Sequence, residues 1–260
     1  MMRAMQQAPS FLDALGHGMA DKRIDILRQI AQGGSISQAA RAAGVSYKAA
    51  WQALDTLTNL AGVALVERVV GGVGGGGARL TAAGRQLLDA AHAVHQARSS
   101  ALAQLGEGSD AELAVARLSV RTSMRNQWPC VVEGMQASGQ IVRVRLRGAG
   151  TAASELAVFS RITRESAELL GLRAGMPVQA LCKATAVRVQ PLARVAEHAN
   201  HWPGRAARVS RGELGDEVAA RLDVGVQMVG FAAADARLRA RSRVQLAADE
   251  SAIVLALVGA

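Results

Sequence analysis

Arg125 and Lys183 stand 58 positions apart, and Ser123, Thr163, Ser166 and Ala184 complete a set with them. Arg125 lies in Thr122-Ser123-Met124-Arg125-Asn126-Gln127-Trp128-Pro129, Thr163 and Ser166 lie in Ile162-Thr163-Arg164-Glu165-Ser166, and Lys183-Ala184 follows Cys182. Two fixed cations and several hydroxyl donors, with no acid at any of the six positions, suit a small oxyanion carrying two negative charges. Such a dianion, taken out of water, needs its charge matched and its oxygens supplied with donors. Arg offers a rigid fork and Lys a compact point charge. The hydroxyls of Ser123, Thr163 and Ser166 add donors, as do backbone N–H groups near Ala184 and at the start of the turn after Thr163. Each residue alone reads as an exposed charge or a turn cap, and only the joint pattern carries the anion chemistry.

The bulk composition frames this set. At 260 residues the chain has length for about two domains of ~100–200 residues each. Half of it is hydrophobic, which allows a sizeable core. No apolar run approaches the ~18 residues of a membrane helix and no signal-peptide pattern opens the chain, so a cytoplasmic protein without membrane contact is expected. Two cysteines, Cys130 and Cys182, are too few for a disulfide framework and are expected as reduced packing residues, although Lys183 beside Cys182 could lower a thiol pKa. No nucleophile–base pair, metal-ligand cluster or matched carboxylate pair is present, so no enzyme is expected. The net charge of +9 is uneven: residues 1–110 hold ten Lys and Arg against eight Asp and Glu (+2), and residues 111–260 hold twenty against thirteen (+7).

Asp21–Gln32 carries Ile24, Leu27, Ile30 and Ala31 at helical spacing and ends at Gly33-Gly34. A short helix, Gln38–Ala43, stops at Gly44. Ser46 then caps a longer one from Tyr47 to about Leu60, with Ala50, Trp51, Leu54 and Leu57 on one face. Helix, tight turn, helix is a helix-turn-helix, whose second helix enters the major groove. Val63–Val70, the glycine run Gly71–Gly77 and Ala78-Arg79-Leu80 read as a β-hairpin wing, with Arg68 and Arg79 at its base placed to meet phosphates. The run spells GxGxxG at Gly72, Gly74 and Gly77, but it leads into a return strand and no acid follows ~20 positions on, so a dinucleotide site is rejected. Thr81 caps Ala82–Leu105, where Leu87, Ala91, Val94, Ala101 and Leu105 are spaced like a short dimer seam interrupted by Arg98.

The segments Gly34-Ser35-Ile36-Ser37-Gln38-Ala39-Ala40, Gly44-Val45-Ser46-Tyr47-Lys48-Ala49-Ala50-Trp51, the glycine run and Leu80-Thr81 resemble the N-terminal domain of the molybdate-responsive transcriptional regulators, the ModE family. The resemblance covers about Asp21 to Leu88. It implies a homodimer that contacts double-stranded operator DNA through Ser46, Tyr47, Lys48 and Gln52, with Arg68 and Arg79 at the wing and Trp51 in the core.

Beyond a polar linker the texture turns to short β-type runs: Leu113–Val120, Cys130–Met135, Gln140–Arg147, Glu155–Phe159 and Val178–Leu181, with one helical turn, Thr163–Leu169. Asn126-Gln127-Trp128-Pro129 returns as Asn200-His201-Trp202-Pro203, and Val178-Gln179-Ala180-Leu181 as Val244-Gln245-Leu246-Ala247. A tandem duplication follows from these returns. The expected architecture is α+β and multidomain: extension 1–20, winged helix-turn-helix 21–105, linker 106–112, and two OB-like β-barrel repeats, 113–191 and 192–260. The repeats resemble the paired molybdate-binding (MOP or TOBE-type) domains of the same regulators. That resemblance implies molybdate, with tungstate possible, bound at a subunit interface: Ser123, Arg125, Lys183 and Ala184 from one chain, Thr163 and Ser166 from its partner.

In the second repeat Ala199 stands opposite Arg125, Asp249 opposite Lys183 and Glu250 opposite Ala184, while Val229 and Ala232 fall roughly opposite Thr163 and Ser166. A carboxylate in place of the ammonium repels a dianion, so only the first repeat is expected to bind. The expected function is a molybdate-sensing DNA-binding regulator that represses uptake genes when the anion is bound. A molybdate-binding storage protein and a winged-helix sensor of another oxyanion are the alternatives.

Overall fold

Ser35, Ser46, Thr81 and Thr163 each end one element and start a helix. Their side-chain oxygens accept from backbone N–H groups three residues on, satisfying donors that the first helical turn leaves open. The structure, a computed structural model, describes residues 22–69, 77–105, 122–150, 153–192 and 199–257. The extension 1–20, the capping Asp21, glycines 71–76, the linker and the strand expected at Leu113–Val120 lie outside the described residues. By contacts the chain divides into two units. One holds the helical module together with Thr163–Leu172, and the other holds Arg117–Ile162 and Arg173–Val258.

In the first unit the order is α1 (Lys22–Gly33), α2 (Ile36–Ala42), α3 (Tyr47–Ala61), β1 (Val66–Val69), β2 (Gly77–Leu80) and α4 (Ala82–Leu105). Ile26, Leu27 and Ile30 of α1 meet Ala39 and Ala40 of α2 and Ala50, Ala53, Leu54 and Leu57 of α3 in one core. The alanines let three helices approach closely. Trp51 is half-buried and packs on this core, with Tyr47 edge-on to it at 6.3 Å. β1 and β2 pair antiparallel, Glu67 opposite Arg79 and Arg68 opposite Ala78, and the Ala78 N–H donates to the Gly34 carbonyl, tying the hairpin to the first turn. Gly84 opens α4 against Leu65: a Cβ there would sit 2.3 Å from the Leu65 carbonyl oxygen, so only glycine permits the crossing.

The second unit contains β3 (Asn126–Ser138), β4 (Ile141–Gly148), β5 (Ala157–Thr163), β6 (Pro177–Cys182), β7 (Arg188–Pro191), β8 (Asn200–Ser210), β9 (Asp216–Leu222), β10 (Gln227–Ala232), β11 (Arg243–Ala248) and β12 (Val254–Ala256). The short helix α5 (Arg164–Leu169) follows β5. In the first repeat the strands overlap the predicted β-type runs; β3, β5 and β6 extend beyond them, because polar residues at their ends still find ladder partners, and β4 keeps its length but starts one residue later. β7, too short and polar to register as a run, is missed by sequence reading, as are β9, β10 and β12 of the second repeat, where only the two motif returns were read. One sheet has the order β12-β6-β3-β4-β5, and the other is a closed barrel, β10-β7-β11-β8-β9. The last strand of each repeat thus belongs to the sheet of the other: β7 pairs with β11 and β10, and β12 with β6.

Two buried asparagines clasp this exchange. Asn126 donates through Nδ2 to the Val229 carbonyl and accepts through Oδ1 from the Val229 N–H, both at 2.8 Å. Asn200 does the same to Phe159, both at 2.7 Å. Beside them Trp202 donates to the Ala157 carbonyl at 2.9 Å, and the two indoles lie 5.9 Å apart. The duplicated Asn-x-Trp motif is therefore a reciprocal lock, each copy holding a strand of the other.

These equivalences correct the repeat alignment. Asn126 on Val229 and Asn200 on Phe159 make Phe159 the counterpart of Val229, so Thr163 corresponds to Ala233 and Ser166 to Ala236, not to Val229 and Ala232. The six-residue α5 is replaced in the second copy by a three-residue 3-10 turn, Ala234–Ala236, and that shortening hid the register in the sequence.

Removing either clasp leaves a buried strand N–H and carbonyl without partners, so Asn126→Ala or Asn200→Ala is expected to cost about 2–4 kcal/mol in denaturant unfolding. A loss within a few tenths of a kcal/mol would mean the clasps are incidental.

Candidate anion and nucleic-acid sites

Arg125 and Lys183 come together through strand register. Asn126 opens β3 directly opposite Cys182, which closes β6. Arg125, the residue before one, and Lys183, the residue after the other, therefore flank the same end of a paired ladder, where neighbouring strands run ~4.8 Å apart. Lys183 is exposed and leads into a 3-10 turn, Ala184–Ala186, with Ala184 buried. No ion pair is made by Lys183 among the described residues. Arg125 does make one: its Nη1 lies 2.6 Å from Glu217 Oε2, and the other oxygen of Glu217 lies 3.5 Å from Arg208. Ser123 is exposed two residues ahead. Glu217 has no counterpart in the six-residue pattern, and sequence reading missed it because it comes from the second repeat, 92 positions away.

Thr163 and Ser166 belong to the first unit. Their hydroxyls are 3.0 Å apart, and Thr163 Oγ1 also accepts from the Ser166 N–H at 3.1 Å. Thr163 is the N-cap of α5, so the Thr-x-x-Ser pattern has a capping role that stands without any ligand.

In the second repeat the position of Lys183 is Asp249, the cap of a 3-10 turn, and that of Ala184 is Glu250. Arg161 pairs with Asp249 at 3.3 Å. Arg143 grips Glu250 at 2.7 Å while lying 4.3 Å over the Phe159 ring. The carboxylates thus draw on arginines of the first repeat, and this corner carries its own anions.

Burial pushes the Cys130 thiol up to about 12 and the Cys182 thiol up to about 11. The adjacent Lys183 therefore does not activate Cys182. Both are free and buried, as packing residues are.

On α3, Ala49, Ala50, Ala53, Leu54 and Leu57 face the core, and Tyr47, Lys48 and Gln52 face outward. Tyr47 is 54% exposed although its ring meets Trp51 edge-on. Arg79 pairs with Glu67 at 2.9 Å across the hairpin, and the side chain of Arg68 lies outside the described residues. Within the same unit the start of α3 meets α5. The Ser46 N–H donates to Glu168 Oε2 at 2.8 Å, and Lys48 Nζ lies 2.6 Å from Glu165 Oε1. Three of the positions expected at the operator, Ser46, Lys48 and Arg79, are here held by carboxylates. The Lys48 hydrogen bond, with the Glu165 backbone N–H second, holds the Glu165 carboxyl below the usual carboxylate range.

Comparison with known proteins defines the class first. Residues 22–85 match the bacterial regulatory helix-turn-helix family of the LysR type, and residues 122–189 match the TOBE domain. A chain of this class joins a regulatory DNA-reading module to a TOBE sheet. Over 85% of its length the chain is 36% identical to the molybdenum transport protein ModE of Azotobacter vinelandii, covering 84% of that protein. It is 37% identical over 78% of its length to the DNA-binding transcriptional dual regulator ModE of Escherichia coli K12, covering 79% of it. The molybdenum-pterin-binding protein MopB of Rhodobacter capsulatus is 37% identical over 68% of the chain and 64% of its own length. The chain belongs to the ModE family of transcriptional regulators.

A carboxyl with a lowered pKa stabilises the fold above its unfolded-state pKa, and that stability is lost as pH falls through the lowered value. Lys48→Ala is therefore expected to bring the Glu165 carboxyl back toward the ordinary range in an NMR pH titration, and to move acid unfolding to higher pH. An unmoved Glu165 titration would show that the pair does not form in solution.

Proposed function

We propose that the chain is a molybdate-sensing, DNA-binding transcription regulator that works as a homodimer in the cytoplasm, a binding protein rather than an enzyme. The observation that carries this reading is that Arg125 and Lys183 flank the same end of the β3–β6 ladder, on a chain whose family relatives are named for molybdenum and for transcription. Two cations match the charge of molybdate or tungstate. Ser123 and the backbone at Ala184 supply donors beside them, and Thr163 and Ser166 of the partner subunit complete the shell. Sulfate, with shorter bonds, underfills such a shell.

The dimer reading is supported by α4, where Val94 is 68% exposed on the face expected to form the seam. Ser46, Tyr47, Lys48 and Gln52 on α3, with Arg68 and Arg79 on the hairpin, read and hold the operator. An anion bridging two subunits favours one subunit arrangement, and the change in operator affinity equals that differential binding, typically ~1–3 kcal/mol. We place repression of molybdate uptake on the anion-bound form. The second repeat binds no anion, since Asp249 and Glu250 already occupy its corner.

Calorimetric titration with molybdate tests the assignment. Binding near one anion per chain is expected, with no heat from sulfate. Lys183→Ala should weaken it about 30-fold or more while leaving basal DNA binding intact. Heat from another oxyanion alone would overturn the ligand. Operator affinity unmoved by saturating molybdate would remove the coupling.

Glu217 competes with the ligand for the Arg125 guanidinium. Glu217→Gln keeps the side-chain shape and removes a nearby negative charge, so about three- to tenfold tighter molybdate binding is expected. Weaker binding would overturn the competition.

A further inference from the structure

The second repeat carries an arginine surface that the anion site does not use. Arg243, Arg205 and Arg221 sit directly opposite one another across β11, β8 and β9, forming a lateral row of three like charges. Like charges directly opposite destabilise a sheet. Asp223 is the acidic neighbour of this row: it pairs with Arg243 at 2.6 Å and also feels the charge of Arg205, so one carboxylate faces three arginines. The loop before β11 runs beside this row: the Arg241 N–H donates to the Ala206 carbonyl, and the Ala206 N–H to the Ser242 carbonyl. That loop reads Arg237-Leu238-Arg239-Ala240-Arg241, with Leu238 buried and the three arginines exposed.

The backbone of the loop supplies a second, independent observation. Arg237 and Arg241 hold φ of 49° and 70°, and they are the only non-glycine residues with positive φ among the described residues. In the first repeat the equivalent positions, four apart in the same way before the matching strand, are Gly171 and Gly175, with φ of 58° and 83°. The left-handed region penalises any side chain with a Cβ. The second copy thus keeps arginine at two positions where its sister copy has the unstrained residue. Arginines serving only solubility would gain nothing from strained backbone or from stacking against like charge. A polyanion that neutralises them explains both costs.

We infer that this face, built on Arg205, Arg221, Arg239, Arg241 and Arg243, docks the phosphodiester backbone of duplex DNA. The inference rests on the reading of the chain as a DNA-binding regulator. It accounts for where the charge lies: the first 110 residues hold only +2, and their Lys48 and Arg79 are already paired with Glu165 and Glu67. Arginine forks suit phosphate oxygens, and phosphate contacts govern the salt dependence of DNA binding without reading sequence.

Fluorescence anisotropy of the full chain on a random-sequence DNA duplex, over a salt series, tests this. In R205Q/R221Q/R239Q/R241Q the slope of log affinity against log salt should shrink by about 0.9 for each lost phosphate contact. Molybdate calorimetry should match the wild type and thermal melting should be no lower than the wild type's, showing that the fold is intact. R237G/R241G should melt at a higher temperature yet bind the duplex more weakly, a combination that a purely structural loop does not give. An unchanged salt slope in the quadruple variant overturns the inference. If K48A weakens duplex binding in that case, the DNA-binding reading survives and only the arginine face fails. Displacement of the duplex by poly-L-glutamate as effectively, charge for charge, as by competitor DNA would also overturn it, in favour of an acidic protein surface.

Discussion

The β-rich unit depends on two side-chain amides that face inward where no water can serve them. Asn126 and Asn200 are almost fully buried, and each finds its donor and acceptor on one residue of the opposite repeat. A buried amide without partners is costly, so the pairing specifies one register of the two repeats rather than merely favouring contact. The register has consequences at a distance. The β3–β6 ladder of the first repeat sets Arg125 beside Lys183. The register between the repeats sets β9 so that Glu217 reaches the same guanidinium. The candidate anion corner is thus shaped by both repeats, its two cations by the first and Glu217 by the second.

Much of this was legible in the chain. Serines and threonines ahead of apolar periodic stretches mark helix starts, and Ser46 and Thr163 cap as their positions predict. The duplicated Asn-x-Trp marked the repeat, yet its role stayed hidden, because a sequence shows that Asn126 recurs and not that its amide reaches a backbone 103 residues away. The same limit hid Glu217: a long-range ion pair leaves no spacing signal. The alignment slipped at Thr163 for a local reason, the loss of a helical turn between β10 and β11, where little in Val229–Ala236 distinguishes one offset from the next. The winged module was easier to read, since its elements are consecutive and its core follows helical period.

The two copies also show how charge separates repeats that share a fold. At one ladder end the first copy presents an ammonium and a guanidinium. At the matching end the second presents two carboxylates, each met by an arginine of its neighbour. Neither pattern disturbs the strands, because these residues lie at strand ends and in 3-10 turns, outside the ladder hydrogen bonds. Duplication therefore left the scaffold intact while the chemistry of one corner reversed.

The exchange of terminal strands has a further meaning for the life of the chain. Until Val254–Ala256 is made, β6 is an open sheet edge, with N–H and carbonyl groups ready to pair with any strand that arrives. On the ribosome neither repeat completes its sheet while the other is missing, so the first repeat waits for a strand made after all the other strands of the second. Loss of Val254–Ala256 would strip an edge from the sheet of the first repeat, not from the barrel beside it in sequence.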